Sequence, residues 1–236
     1  MGSILIFVDE TYIENPPAEL LAVAAVAVFE SNWSLQVADL LNIASVRRSR
    51  KLQAVRDFVG QGRLRAVIAG ARLDELGARP GLRDTFSDTG LMSRRDNVWI
   101  QLMGYATNLL LRRVLENGWL VSAAALHYDS KSLAKSHRET AHATLIRVVE
   151  RESRRLTKRM TGLRREVIRV RHVGPVPKPA QQAASSNLQW GTWLAHWVAK
   201  LPHRYVATSL PSNVEVYDLA PLAKQILQRA GVIPTP

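Results

Sequence analysis

An α/β fold built on a mixed central sheet is what this chain of 236 residues predicts, and three observations predict it. The run Ile4-Leu5-Ile6-Phe7-Val8 is apolar without alternation, which marks a strand buried on both faces, and it stops at the acids Asp9 and Glu10. The small-residue run from Leu120 through Tyr128 repeats that design and delivers Asp129. Between and after these runs lie long segments whose apolar residues recur at helical spacing. At 47% hydrophobic residues the chain can fill one well-buried domain and still leave room for an appendage.

The second strand is expected over Leu20 to Phe29, after the turn signal Asn15-Pro16-Pro17, as the antiparallel partner of the first. Ser31, Asn32 or Ser34 can cap the helix that follows, whose apolar residues Leu35, Leu40, Leu41 and Ile43 lead into the basic stretch Arg47-Arg48-Ser49-Arg50-Lys51. Leu52, Val55, Phe58 and Val59 keep helical spacing until Gly60-Gln61-Gly62, and Leu64 to Ala69 reads as a third strand. Asp74 to Asp88 reads as an irregular loop. A long helix opens at Ser93, is apolar around most of its circumference through Leu115, and closes at Gly118.

After the strand ending at Asp129, Ser136-His137-Arg138-Glu139 has capping-box spacing and begins another helix, which gives Glu139 a structural task. On that helix Arg147, Arg151, Arg154, Arg155 and Lys158 recur on a face of their own, a basic ridge suited to phosphates. Glu166 to Val173 alternates arginine with valine, as a half-exposed strand near a sheet edge does. Leu188 to Val198 reads as a helix in which Trp193 and Trp197 form a core pair. Beyond Pro202, Tyr205 to Ala207 and Val214 to Tyr217 read as short strands and Leu219 to Ala230 as a last helix. The expected organisation is a domain over 1–200 and a C-terminal extension over 201–236, either an added layer or an arm that docks a protein partner.

Charge narrows the function classes. A net charge of +12 implies an anionic partner, because such an imbalance costs self-repulsion that a polyanion relieves. Yet Met1 to Val46 contains no Lys or Arg and holds Asp9, Glu10, Glu14, Glu19, Glu30 and Asp39. An acidic focus beside a basic ridge is what metal-assisted chemistry on DNA or RNA requires, carboxylates for cations and arginines for the phosphate backbone. The absence of cysteine excludes disulfides, thiolate metal sites and cysteine nucleophiles. No apolar run approaches the roughly 20 residues that span a bilayer, and the N-terminus lacks signal-peptide features, so a cytoplasmic location with no membrane partner is expected.

Asp9 and Asp129 close two strands of one sheet, and in α/β sheets ligands collect beyond strand ends. Either the two carboxylates share a pocket as ligands, or Asp129 opens an Asx turn or caps the following helix. His127, His137 and His142 do not form a zinc site, since His137 and His142 are five apart and miss a common helix face.

The order hairpin, helix, strand, helix, strand ending in Asp, helix, strand, tryptophan helix resembles a group of bacterial and phage proteins with a ribonuclease-H-like fold. That group opens with a strand ending Asp-Glu-Ser-Gly, carries a middle strand ending Tyr-Asp, and closes with a helix reading Leu-Gln-hydrophobic-Ala-Asp-Leu. Here Val8-Asp9-Glu10-Thr11, His127-Tyr128-Asp129-Ser130 and Leu188-Gln189-Trp190-Gly191-Thr192-Trp193-Leu194-Ala195 resemble the three motifs, and the likeness covers Ile4 to Val198. The resemblance implies a mixed sheet of about five strands flanked by helices, and divalent-cation phosphodiester chemistry with Mg2+ or Mn2+ on Asp9 and Asp129. Two departures oppose that chemistry. Thr192 stands where the family has its closing Asp, and Thr11-Tyr12 replaces Ser-Gly. A hydroxyl cannot offset magnesium charge as a carboxylate does. Glu10, Glu139, Asp96 or Asp88 would then have to supply the missing charge, with Glu10 the most economical catalytic helper and Asn187, Gln189 and Thr192 as auxiliary neutral groups. Two expectations stand side by side: a metal-dependent nuclease with an incomplete acidic site, or an inactive nucleic-acid-binding or assembly subunit.

Overall fold

The computed structural model describes residues 2–15, 18–72, 92–129, 143, 146–147, 150–151, 154, 169–176, 187–218 and 228. Strand β1 (Gly2–Asn15) pairs antiparallel with β2 (Ala18–Phe29), and β2 pairs antiparallel with β3 (Leu64–Arg72). A 3-10 turn, helix α1 (Trp33–Ser45) and helix α2 (Arg48–Gly60) join β2 to β3. Helix α3 (Met92–Glu116) precedes β4 (Val121–Asp129), which is parallel to β1, and β5 (Arg169–Val176) is parallel to β4. Helices α4 (Gln189–Ala199) and α5 (Leu201–Arg204) then lead to β6 (Val214–Asp218), parallel to β3.

The sheet runs β5-β4-β1-β2-β3-β6. Its first five strands have the order and directions of a ribonuclease-H-like fold. The sixth comes from the C-terminal extension, which adds β6 to the β3 edge; Tyr205 to Ala207 is not a strand but leads into a 3-10 turn. Buried Asn213 anchors this addition, its amide donating to the carbonyls of Val59 at 2.7 Å and Leu64 at 2.9 Å. On the far side of β6, Arg113 of α3 donates to the Tyr217 hydroxyl at 2.6 Å, and that hydroxyl donates to Glu215 at 2.7 Å.

The two sheet faces follow from strand alternation. Leu5 and Phe7 of β1, Ala24 and Val26 of β2 and Ile68 of β3 pack with α1, α2 and α4 in one core. The opposite face, which includes Ile6 and Val8, lies on the side of α3, whose Ala106, Leu110, Leu111 and Val114 are buried against β2 and β3. Gly118, at φ +74, closes α3 in the left-handed conformation that glycine adopts without strain.

Three boundaries differ from expectation for physical reasons. β1 does not stop at Asp9; Thr11-Tyr12-Ile13 are strand formers and continue the ladder with β2 to Asn15. α1 begins from a 3-10 turn without a side-chain cap from Asn32, and its inward residues are Trp33, Gln36, Val37 and Leu40, while Leu35 is 72% and Leu41 50% exposed. The single helix expected through the basic stretch is two helices, because Val46 and Arg47 turn extended. The carbonyls freed at that break are taken by the Ser45 hydroxyl, on Asn42 at 2.6 Å, and by Lys51, on Ala44 at 2.9 Å. The expected loop at 74–88 and the capping box at 136–139 lie outside the described residues, as does the final helix apart from helical Gln228. Among the described residues no helix is long and apolar enough to cross a membrane.

Candidate functional site at Asp9

Asp9 sits where the sheet changes character. Up to Val8, β1 is paired on both sides; at Asp9 the ladder with β2 continues while the ladder with β4 has reached its last pair, Val8 with Tyr128. One register step further, positions 9 and 129 are neighbours on adjacent parallel strands. The backbone therefore brings the two acidic positions to one end of the same strand pair.

Asp9 is buried at 7% exposure, so its charge needs partners. The Glu10 N–H donates to Asp9 Oδ1 at 2.8 Å. His196 Nδ1 lies 3.5 Å from Asp9 Oδ2 and 3.1 Å from the Glu10 carbonyl oxygen. A carbonyl only accepts, so Nδ1 carries the hydrogen, and Asp9 and the Glu10 main chain together hold the ring in one orientation. Glu10, expected to assist Asp9 through its carboxylate, instead points from the opposite face of a regular strand. Its main-chain N–H bonds Asp9 directly.

Helix α4 can present His196 here because it lies directly on β1. Gly191 faces the Phe7 ring so closely that an added Cβ would fall inside it. The same helix face carries Thr192, His196 and Lys200 at successive turns. Thr192, where the resemblance implied a carboxylate, is buried and donates to the Gln189 carbonyl at 3.1 Å, a bond within its own helix. Asn187 is exposed in the turn before α4, its carbonyl accepting the Trp190 N–H at 3.2 Å.

Lys200 completes the surroundings of Asp9. Its ammonium is held below the ordinary lysine range, first by burial and then by the charge of Arg48, while the Asp9 carboxylate opposes the shift. The linkage has a definite sign. A lysine whose folded pKa is depressed binds its proton more tightly unfolded, so stability rises with pH from the folded pKa up to the ordinary lysine value. Lys200→Met is expected to remove that alkaline gain, and Asp9→Asn to start it at lower pH. Urea unfolding followed from neutral to alkaline pH reads both, and a Lys200→Met curve parallel to the wild type would contradict the assignment.

Asp9 offers a divalent cation one buried carboxylate, already bonded to a main-chain N–H and near an imidazole and an ammonium, with the Thr192 hydroxyl where the resemblance implied an acid. The side chain of Asp129 lies outside the described residues. Among the described residues no cluster of three or more His, Asp or Glu forms a candidate metal centre. Asp88 lies outside the described residues, as does Glu139, while Asp96 is placed in α3 by its backbone.

Of the basic ridge, Arg147, Arg151 and Arg154 are helical and exposed at the expected spacing, and Arg155 and Lys158 lie outside the described residues. His127 is buried and stacks on Phe7 with ring centroids 5.6 Å apart, a packing role. His196 and Lys200 escaped the sequence reading, which took the helix for its tryptophans. Their signal was the spacing of four from Thr192 to His196 and from His196 to Lys200. No protein-family model matches the chain, and no curated protein matches it.

Proposed function

We propose that the chain is a nucleic-acid-binding protein of ribonuclease-H-like architecture that acts as a catalytically inactive binding or assembly subunit. One observation carries the choice between the two expectations: the helix laid on β1 presents the His196 imidazole to Asp9, with Lys200 one turn beyond it, where a nuclease of this class would gather carboxylates around metal. The excess of Lys and Arg over acids, +12 in all, supports a polyanionic partner. A second reading, a nuclease using Mg2+ or Mn2+ on Asp9 and Asp129, is favoured by the adjacency of positions 9 and 129.

The experiment is equilibrium binding of labelled DNA and RNA oligonucleotides across a salt series, with and without EDTA, beside a cleavage assay containing Mg2+ or Mn2+. Binding that weakens steeply with salt, is indifferent to EDTA and is unaccompanied by cleavage is the expected result. Metal-dependent cleavage lost in Asp9→Asn would replace it with the second reading. No binding at low salt would remove both.

A further inference from the structure

A second set of cations lies apart in sequence from the expected ridge. Arg47, Arg48 and Arg50 are exposed at the start of α2, and that helix has no acid in its first turn. Cations there oppose the helix dipole, an arrangement unfavourable for an isolated helix and favourable for gripping an anion. Lys51 of the same helix reaches across to α4 and stands over two of its indoles, 5.9 Å from the Trp193 centroid and 5.6 Å from that of Trp197. Lys200, the residue that caps α4, stands over Trp197 of its own helix at 5.0 Å. Arg204 of α5 lies 6.0 Å from the Tyr205 ring and donates to the Ser49 carbonyl at 3.2 Å, tying α5 to the start of α2.

These contacts fix the positions of long side chains that would otherwise lose much rotamer freedom on binding. The half-buried tryptophans, packed into the core on one side, are therefore supports for ammonium groups. The strip also has a direction. Lys200 lies in the field of both Arg48 and Asp9 and follows His196 by one turn, so the basic surface runs from α2 into the Asp9 site.

We propose that Arg48, Arg50, Lys51, Lys200 and Arg204, on α2, α4 and α5, form a preorganised surface that holds the phosphodiester backbone of a nucleic acid and leads it to Asp9. This deepens the reading given above and depends on it. Crowding of like charge favours the occupant, because a polyanion relieves the repulsion between Arg48 and Lys200 that now disfavours the Lys200 proton.

The test uses the full chain and fluorescein-labelled single-stranded and duplex oligonucleotides, with vesicles of anionic phospholipid as a separate arm. Wild type is compared with Arg48→Glu/Arg204→Glu and with Arg147→Glu/Arg151→Glu, each checked for an unchanged thermal melt. Should charge reversal disturb the melt, Arg48→Gln/Arg204→Gln replaces it. The strip variant is expected to bind at least about tenfold more weakly at low salt, with a salt slope lower by about two, one unit for each lost phosphate contact. The ridge variant is expected to lose less. Unchanged affinity in the strip variant, with binding lost in the ridge variant, would overturn this surface and leave the nucleic-acid reading standing. A wild-type chain that ignores oligonucleotides, or binds only vesicles, would overturn both.

Discussion

Gly191→Ala is expected to destabilise the protein by about 3 kcal/mol or to keep it from folding, the upper range for overpacking a filled core. The reason lies in the contact of α4 with β1. An alanine Cβ at this position coincides with the Phe7 ring, and Phe7 has little room to retreat. Its ring lies 4.6 Å from that of Trp33 and 5.6 Å from that of His127, and the residue is fully buried. The helix must therefore lift away from the sheet, opening the core that Leu194, Ala195 and Val198 fill. A double-mutant cycle isolates the cause. Phe7→Ala alone should cost about 3–5 kcal/mol, and Gly191→Ala added to it should cost far less than in the wild type, because the occupied space is vacant. Denaturant unfolding reads all three variants, and an unchanged midpoint for Gly191→Ala would show that α4 does not sit as described.

The second large effect is expected at Asn213. Its side-chain amide donates to two carbonyls of fully buried residues, Val59 at the end of α2 and Leu64 at the start of β3, while its main-chain carbonyl accepts the Ala66 N–H at 3.0 Å. Asn213→Ala leaves two buried acceptors without their donor, at a cost of about 1–3 kcal/mol for each group stranded. The expected loss is about 2–4 kcal/mol in all, with β6 detaching first because this residue precedes it directly. Unfolding curves give the size, and limited proteolysis gives the place, as early cleavage between α5 and β6. Asn213→Asp should be no better, since a carboxylate cannot donate to either carbonyl. Wild-type stability in Asn213→Ala would mean that β6 is held by its ladder alone.

Much of this architecture was legible in the chain because burial leaves unambiguous marks. Ile4 to Val8 and Ala123 to Leu126 are apolar without alternation, and both lie in strands enclosed by helices or neighbouring strands. The Trp193 and Trp197 helix and the closure of α3 at Gly118 were readable in the same way. Boundaries that depend on long-range pairing were less readable. Nothing local says that Thr11 to Asn15 extends a strand until β2 is beside it, and Leu35 and Leu41 look like core residues until Trp33 and Val37 take the inward face. The site divided similarly. Asp9 and its register neighbour at 129 followed from two strand ends, but the role of Glu10 depended on which way a continuing strand pointed it. His196 and Lys200 carried no motif, and only the seating of α4 on Phe7 turned their helical spacing into neighbours of Asp9.

That seating makes α4 a fixed platform. With Gly191 pressed against an aromatic face of the sheet, His196 and the Lys200 ammonium both lie against the Trp197 indole. An occupant that engages His196 or Lys200 changes the surroundings of Trp197, which itself packs near Trp193 and, through it, Trp190. The protein thus carries its own optical gauge, in which events at a carboxylate are written into the surroundings of three fluorophores on the same helix.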